Sequence, residues 1–199
     1  MSSKLVLAIG NPGARYEGTR HNVGFDVADR VAGSVRGAFR KASPLHLELT
    51  IQDKGRVIKP LTYVNRSGRA LEPLQSTTAE GMKNLLVVVD DIHLAPGTLR
   101  LKGKGSHGGH NGLRDLERVL GGQGYARLRI GVGSKADDEN DLRDHVLGAF
   151  SKEDGESVAR ACERACQATL EFLAGQPLEE LQRKYNGAGP TNGTATTRE

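Results

Sequence analysis

Two kinds of hydrophobic patterning alternate along this chain: short, wholly apolar runs, and longer stretches in which apolar residues recur every three or four positions. Leu5-Val6-Leu7-Ala8-Ile9 and Leu85-Leu86-Val87-Val88-Val89 are of the first kind. They predict strands over Lys4–Ile9 and Leu85–Val89 that are buried on both faces. Phe25, Val27, Ala28, Val31 and Ala32 mark one face of a helix over Val23–Val35. Leu45–Gln52 alternates apolar and polar residues, and Arg56–Pro60 follows a Lys54-Gly55 turn, so the two form a hairpin. Asn65 to about Gln75 reads as a short helix that Pro73 must end or kink. A strand over Thr98–Lys102 follows the Pro96-Gly97 turn, and a helix covers Asn111–Leu120. Arg127–Gly133 is a strand closed by alternating glycines, and helices over Ser151–Ala174 and Pro177–Tyr185 complete the pattern.

Buried strands alternating with helices, plus one hairpin, predict an α/β fold: a three-layer α/β/α sandwich with a mixed, mostly parallel sheet. No internal repeat is present. One domain is expected over residues 1–186, because from Gly187 to Glu199 the chain is Gly, Thr, Asn and Pro with almost nothing apolar and should be disordered. Lys135–Asp144 is dense in charge and breaks the pattern, as a mobile flap over a site would.

The 199 residues suffice for a full core, no apolar stretch approaches membrane-spanning length, and the N-terminus lacks a signal peptide's apolar segment. A cytoplasmic protein with no membrane partner is therefore expected. Cys162 and Cys166, one helical turn apart, could form half a metal site, but with no neighbouring Cys or His they read as reduced, partly buried thiols. The net charge of +4 says little by itself. Its placement says more: Arg100, Lys102 and Lys104 lead into a glycine-rich loop, Arg114 and Arg118 follow it, and Arg127, Arg129 and Lys135 come later. If those strands are neighbours, the cations gather at one mouth of the sheet; a solvated basic surface is the alternative.

The chemistry concentrates at four strand ends. The first strand runs into Gly10-Asn11-Pro12-Gly13, a sharp turn that brings Asn11, Tyr16, Arg20, His21 and Asn22 to the sheet edge where open α/β folds hold their sites. Amide groups beside a histidine suit a hydrolytic site with neither metal nor covalent nucleophile. Asn65, in Pro60-Leu61-Thr62-Tyr63-Val64-Asn65-Arg66-Ser67-Gly68, either caps a helix or reaches outward. Asp90 and Asp91 end a buried strand, where they can bind metal, partner a histidine or cap the next turn. In Gly105-Ser106-His107-Gly108-Gly109-His110-Asn111-Gly112-Leu113-Arg114 the loop amides could cradle an anion. Loop hydrogen bonds for His107 and His110, and helix capping for Asn111, are the plainer roles. The loop lacks the lysine-serine ending of a nucleoside-triphosphate site.

Together GNPG…Y…TRHN, P-x-T-x-x-N-x-SG, the strand-end acid and GGHNGLR resemble the bacterial-type peptidyl-tRNA hydrolase family, in order, from Lys4 to about Tyr185. Arg127–Gly133 and Val146-Leu147-Gly148-Ala149-Phe150 match as well. The resemblance implies a phosphorylase/hydrolase-like sandwich that cleaves the ester between a peptide and tRNA, as a monomer, without cofactor or metal. It implies that His21 is the general base, that Asp90 rather than Asp91 orients it, and that Asn11 positions the carbonyl or water and stabilises the oxyanion. Asn65 and Asn111 would hold the peptide main chain and the ester end, with Tyr63 in the same substrate site. Tyr16 would stack near the ribose or terminal bases. His110, Arg114, Lys102 and Lys104 would face the tRNA acceptor stem and 3′ end.

The chain departs from the family where Tyr63-Val64-Asn65 replaces the usual Phe-Met-Asn, which reshapes the pocket for the peptide's last residues. Lys104 and Ser106 stand where glycine is typical, Val89 where histidine is common, and Ser134-Lys135 where an Arg/His-Pro pair is frequent. An RNA-binding relative without catalysis would have damaged His21, Asn11 or Asp90, and all three are present. A hydrolase of small acyl esters would not need the cations.

Overall fold

The computed structural model describes residues 4–74, 82–134 and 144–188. Among these, eight strands form one sheet: β1 (Lys4–Ala8), β2 (Arg40–Ser43), β3 (His46–Ile51), β4 (Gly55–Pro60), β5 (Leu85–Asp91), β6 (Thr98–Lys102), β7 (Ala126–Gly131) and β8 (Gly187–Ala188). The helices α1 (Val23–Ser34), α2 (Asn111–Leu120), α3 (Lys152–Leu173) and α4 (Leu178–Tyr185) flank it. The strand order is β2-β3-β4-β1-β5-β7-β6-β8. The central β4, β1, β5 and β7 pair in parallel, whereas the four outer pairings are antiparallel. The sheet is thus mixed, with its parallel part confined to the middle. Hairpin connections build the β2-β3-β4 flank, whereas on the other flank β6 reaches β7 through α2, and β8 follows α3 and α4.

The apolar runs of β1 and β5 are continuous because each feeds two cores. Val6, Ala8, Leu86 and Val88 face α1, α3 and α4. Leu5, Leu7, Ile9, Leu85, Val87 and Val89 face α2 and the 64–74 segment. Burial of each such side chain contributes roughly 1.5–3 kcal/mol, so the two cores hold the expected three layers together. Gly24 lets α1 start directly on the sheet, since a Cβ there would lie 2.3 Å from the Ile9 carbonyl oxygen and 2.8 Å from that of Val88.

Some elements differ from expectation. β2 has no buried residue and starts with two exposed cations, Arg40 and Lys41, so it carries no alternation to read; charged edges of this kind resist pairing with other chains. Gly187 and Ala188, expected in a disordered tail, pair with Leu99 and Thr98 of β6; residues 189–199 lie outside the described residues. So does the expected flap from Lys135 to residue 143. The predicted helix after Tyr63 is a 3₁₀ segment, Val64–Leu74, with Pro73 next to its last residue and a further, unpredicted break at Arg66. The reason is tertiary: the Gly68 amide is taken by Asp115 Oδ2 of α2 at 2.9 Å.

Candidate active site

At the end of β5 strand alternation turns two neighbouring acids to opposite faces. Asp90 shares the face of Leu86 and Val88, against which α1 packs. Asp91, on the other face, accepts the His93 amide at 2.9 Å and the Arg129 Nη1 at 3.0 Å. It caps the next turn and pairs with an arginine. Asp90 is 1% exposed and has a different partnership: its Oδ2 lies 2.9 Å from His21 Nδ1 and its Oδ1 lies 3.0 Å from His110 Nε2. His21 enters from the 3₁₀ turn Arg20–Asn22 just ahead of α1. His110 enters just ahead of α2, which belongs to the opposite layer. One carboxylate at the sheet edge therefore receives an imidazole from each side of the sandwich.

His110 was expected to face the tRNA and Asn111 to hold substrate, with a loop hydrogen bond and helix capping as their plainer roles. Capping falls to His110 instead of Asn111. His110 is the N-cap of α2, its Nδ1 accepting the Gly112 and Leu113 amides at 3.1 and 3.3 Å, and its ring lies edge-on to that of His21 at 5.4 Å. The chain turns back here because Gly112 has no side chain; a Cβ would meet His110 Cε1 and the Val64 carbonyl, each at 3.0 Å.

Burial alone would raise the Asp90 carboxyl, but the two imidazoles on its oxygens outweigh this and hold it well below the ordinary carboxylate range. Burial likewise disfavours a charged His21, yet the charge and hydrogen bond of Asp90 prevail and raise its pKa above the usual imidazole value. An ionised Asp90 makes His21 Nδ1 the donor, which leaves Nε2 with its lone pair.

Asn11 is buried and tied down on three sides. Its amide donates to Asn22 Oδ1 at 2.9 Å, its carbonyl accepts from Asn22 Nδ2 at 3.0 Å, and its Oδ1 accepts the Val64 amide at 3.0 Å. The last bond orients the side chain and, among the described residues, leaves Nδ2 as its free donor group. Asn22, whose role was not evident from its position in TRHN, is thus the clamp on Asn11. Arg20 is buried too: its Nη1 donates to the carbonyls of His145, Gly148 and Ala149 at 3.3, 3.2 and 2.7 Å. It fastens the 145–149 segment to the turn that carries His21.

The remaining expected residues lie around this centre or on the surface. Asn65 is exposed next to Val64, and Asn111 is exposed with its Oδ1 accepting from Arg114 Nη1 at 3.1 Å. Tyr16 meets the exposed Tyr63 edge-to-face at 6.2 Å, and Arg15 Nη2 donates to the Tyr16 hydroxyl at 2.6 Å. Lys102 and Lys104 are exposed along a shallow groove with Leu178, Glu179 and Gln182. β6 and β7 are neighbours, yet Arg127 and Arg129 do not join a basic rim. Arg127, 1% exposed, donates to the Gly105 carbonyl, and Arg129 Nη2 donates to those of Ser106 and His107 at 3.0 and 3.3 Å. These two cations hold the glycine-rich loop from beneath.

His21, Asp90 and His110 place one ligand atom each within 4.8 Å of one another, a spacing that could hold a divalent ion. Metal binding would, however, displace the hydrogens that already bridge each imidazole to Asp90. It would also force a proton onto His110 Nδ1, breaking the helix cap. Cys162 and Cys166 are both buried far from this chemistry in α3, and burial pushes the Cys162 thiol up to about 12. Among the described residues no helix is long and apolar enough to cross a membrane.

A sequence model of the Peptidyl-tRNA hydrolase family matches residues 5–193. A peptidyl-tRNA hydrolase of Halalkalibacterium halodurans is 39% identical over 186 residues, covering 92% of this chain and 100% of that protein. One from Parasynechococcus marenigrum is 38% identical over 197 residues, covering 95% and 97%. The crystal structure of peptidyl-tRNA hydrolase from Acinetobacter baumannii superposes with a TM-score of 0.84 at 30% identity, covering 94% of this chain and 97% of that one. The match extends across the sheet, both helix layers and every segment that meets at Asp90, and on it the chain belongs to the peptidyl-tRNA hydrolase family.

Proposed function

We propose that this protein hydrolyses the ester between a peptide and tRNA with His21 as general base, Asp90 as its orienting acid and Asn11 as oxyanion donor. The observation that carries this reading is the Asp90–His21 pair at 2.9 Å, which leaves the His21 Nε2 lone pair facing away from the acid. Nε2 takes a proton from water as the water oxygen attacks the ester carbonyl carbon. The carbonyl π pair moves onto oxygen, where Asn11 Nδ2 donates to it. When the tetrahedral adduct collapses, the bond to the ribose oxygen breaks and that oxygen takes the proton back from His21. The products are a free peptide carboxyl and a free tRNA hydroxyl, and no side chain becomes acylated. General-base assistance of this kind is worth roughly 10²–10⁴-fold, and one oxyanion donor roughly 10²–10³-fold.

Asn65 and Asn111 offer neutral amides to the peptide groups that every substrate shares. Tyr16 and Tyr63 offer ring faces to the terminal nucleotide. Lys102, Lys104 and Arg114 contact phosphates of the acceptor stem and 3′ end, an interaction that weakens with salt. One chain supplies every group, so a monomer suffices, and a peptidyl-tRNA substrate, a product of translation, supports a cytoplasmic location. The reading is tested by comparing cleavage of N-blocked aminoacyl-tRNA with the same ester on a mononucleoside. Rapid cleavage of the former alone is expected. Equal rates would point to a general small-ester hydrolase, and tRNA binding without cleavage would remove the catalytic assignment.

A further inference from the structure

We propose that His110 is a positioning residue for this reaction: held as its Nε2–H tautomer by capping α2, it fixes the Asp90 carboxylate so that His21 alone exchanges protons at the substrate. This deepens the assignment of His21 and Asp90 above and rests on it. The cap decides the tautomer. Nδ1 accepts two backbone N–H groups, from Gly112 at 3.1 Å and Leu113 at 3.3 Å, so it must present a lone pair there. A proton on Nδ1 would face two N–H donors at the positive end of a helix. The ring proton therefore sits on Nε2 and is donated to Asp90 Oδ1 at 3.0 Å.

Asp90 needs this second donor. At 1% exposure, a carboxylate bonded only to His21 would bury an oxygen without a partner. With one N–H on each oxygen the carboxylate cannot rotate, and Oδ2 stays aligned with His21 Nδ1. The charged and titratable side chains meeting here are Asp90 from β5, His21 from the turn before α1 and His110 from α2. Since both nitrogens of His110 are engaged, it has no lone pair to offer water. His21, with 17% of its side chain exposed, has one. Two histidines that look alike in the sequence are thereby given different work.

His110→Asn separates positioning from structural support. Asparagine is among the best N-cap residues, so the helix start is kept, but its shorter side chain loses the Nε2–H bond to Asp90. The expected result is a kcat lower by roughly 10- to 100-fold, with KM for N-blocked aminoacyl-tRNA and the melting temperature close to wild type. A raised KM with kcat retained would place His110 on the substrate and overturn the proposal. Nitrogen-15 spectra of the wild-type imidazoles decide the matter even if the variant fails to fold. Nδ1 of His110 should be unprotonated and Nε2 protonated at the pH of turnover; the reverse would refute the tautomer. Because that readout needs no turnover, it stands apart from His21→Ala, whose full activity would remove the general base and leave the tautomer intact.

Discussion

Replacing Asp90 by asparagine should abolish the base rather than merely weaken it, and the hydrogen-bond geometry says why. The wild-type carboxylate accepts from two imidazoles, 2.9 Å from His21 and 3.0 Å from His110. Asparagine has one oxygen and one NH₂, so it can accept from only one of them. His110 cannot change its role without giving up the α2 cap, and it keeps the oxygen. The new NH₂ then faces His21 Nδ1, which must become an acceptor, and the ring proton moves to Nε2, the nitrogen that has to receive a proton from water. A catalytic imidazole held in the wrong tautomer loses roughly 10³–10⁴-fold in kcat, equivalent to about 4–5.5 kcal/mol of transition-state stabilisation. Steady-state cleavage of N-blocked aminoacyl-tRNA measures it, with KM expected to stay near wild type. A variant that retained kcat within about tenfold of wild type would refute the assignment of Asp90 and His21.

Other outcomes follow from the same geometry. The kcat/KM profile of the wild-type enzyme should rise with pH as His21 loses its proton, with a midpoint above the 6.5 of an ordinary imidazole; a flat profile through that range would mean another base. By linkage, the stability His21 gains from Asp90 is complete below about pH 6.5 and lost as pH rises through its raised value, while that of Asp90 fades as pH falls below about 4. Melting curves should show both losses, and Asp90→Asn should remove them. Lys104→Ala should weaken tRNA binding and reduce the slope of log affinity against log salt by about one; an unchanged slope would mean that Lys104 touches no phosphate. Gly24→Ala should lower stability by about 3 kcal/mol or more, because its Cβ would meet two backbone carbonyls. At this chain length that is a fall of roughly 6–12 °C in Tm, and a shift under about 2 °C would contradict the close approach of α1 to the sheet.

Local pattern alone locates most of the elements. β6 and α2 fall on the predicted residues, and β1, β4 and α1 within a residue or so, because their apolar spacing is decided by which face is buried. The sequence also determined that Asn11, His21 and Asp90 would stand at strand ends, since a turn motif or a polar residue closing an apolar run is a local property. Tertiary structure decided the rest. β2 has no buried face, so no period marks it, and β8 exists only because β6 offers an edge. Arg127 and Arg129 read as surface cations until the glycine-rich loop brings its carbonyls over them. His110 reads as a loop histidine until the start of α2 meets the end of β5. A side chain's partners across the fold are absent from its neighbourhood in sequence, and for a histidine those partners determine which nitrogen bears the proton and hence which chemistry it can perform.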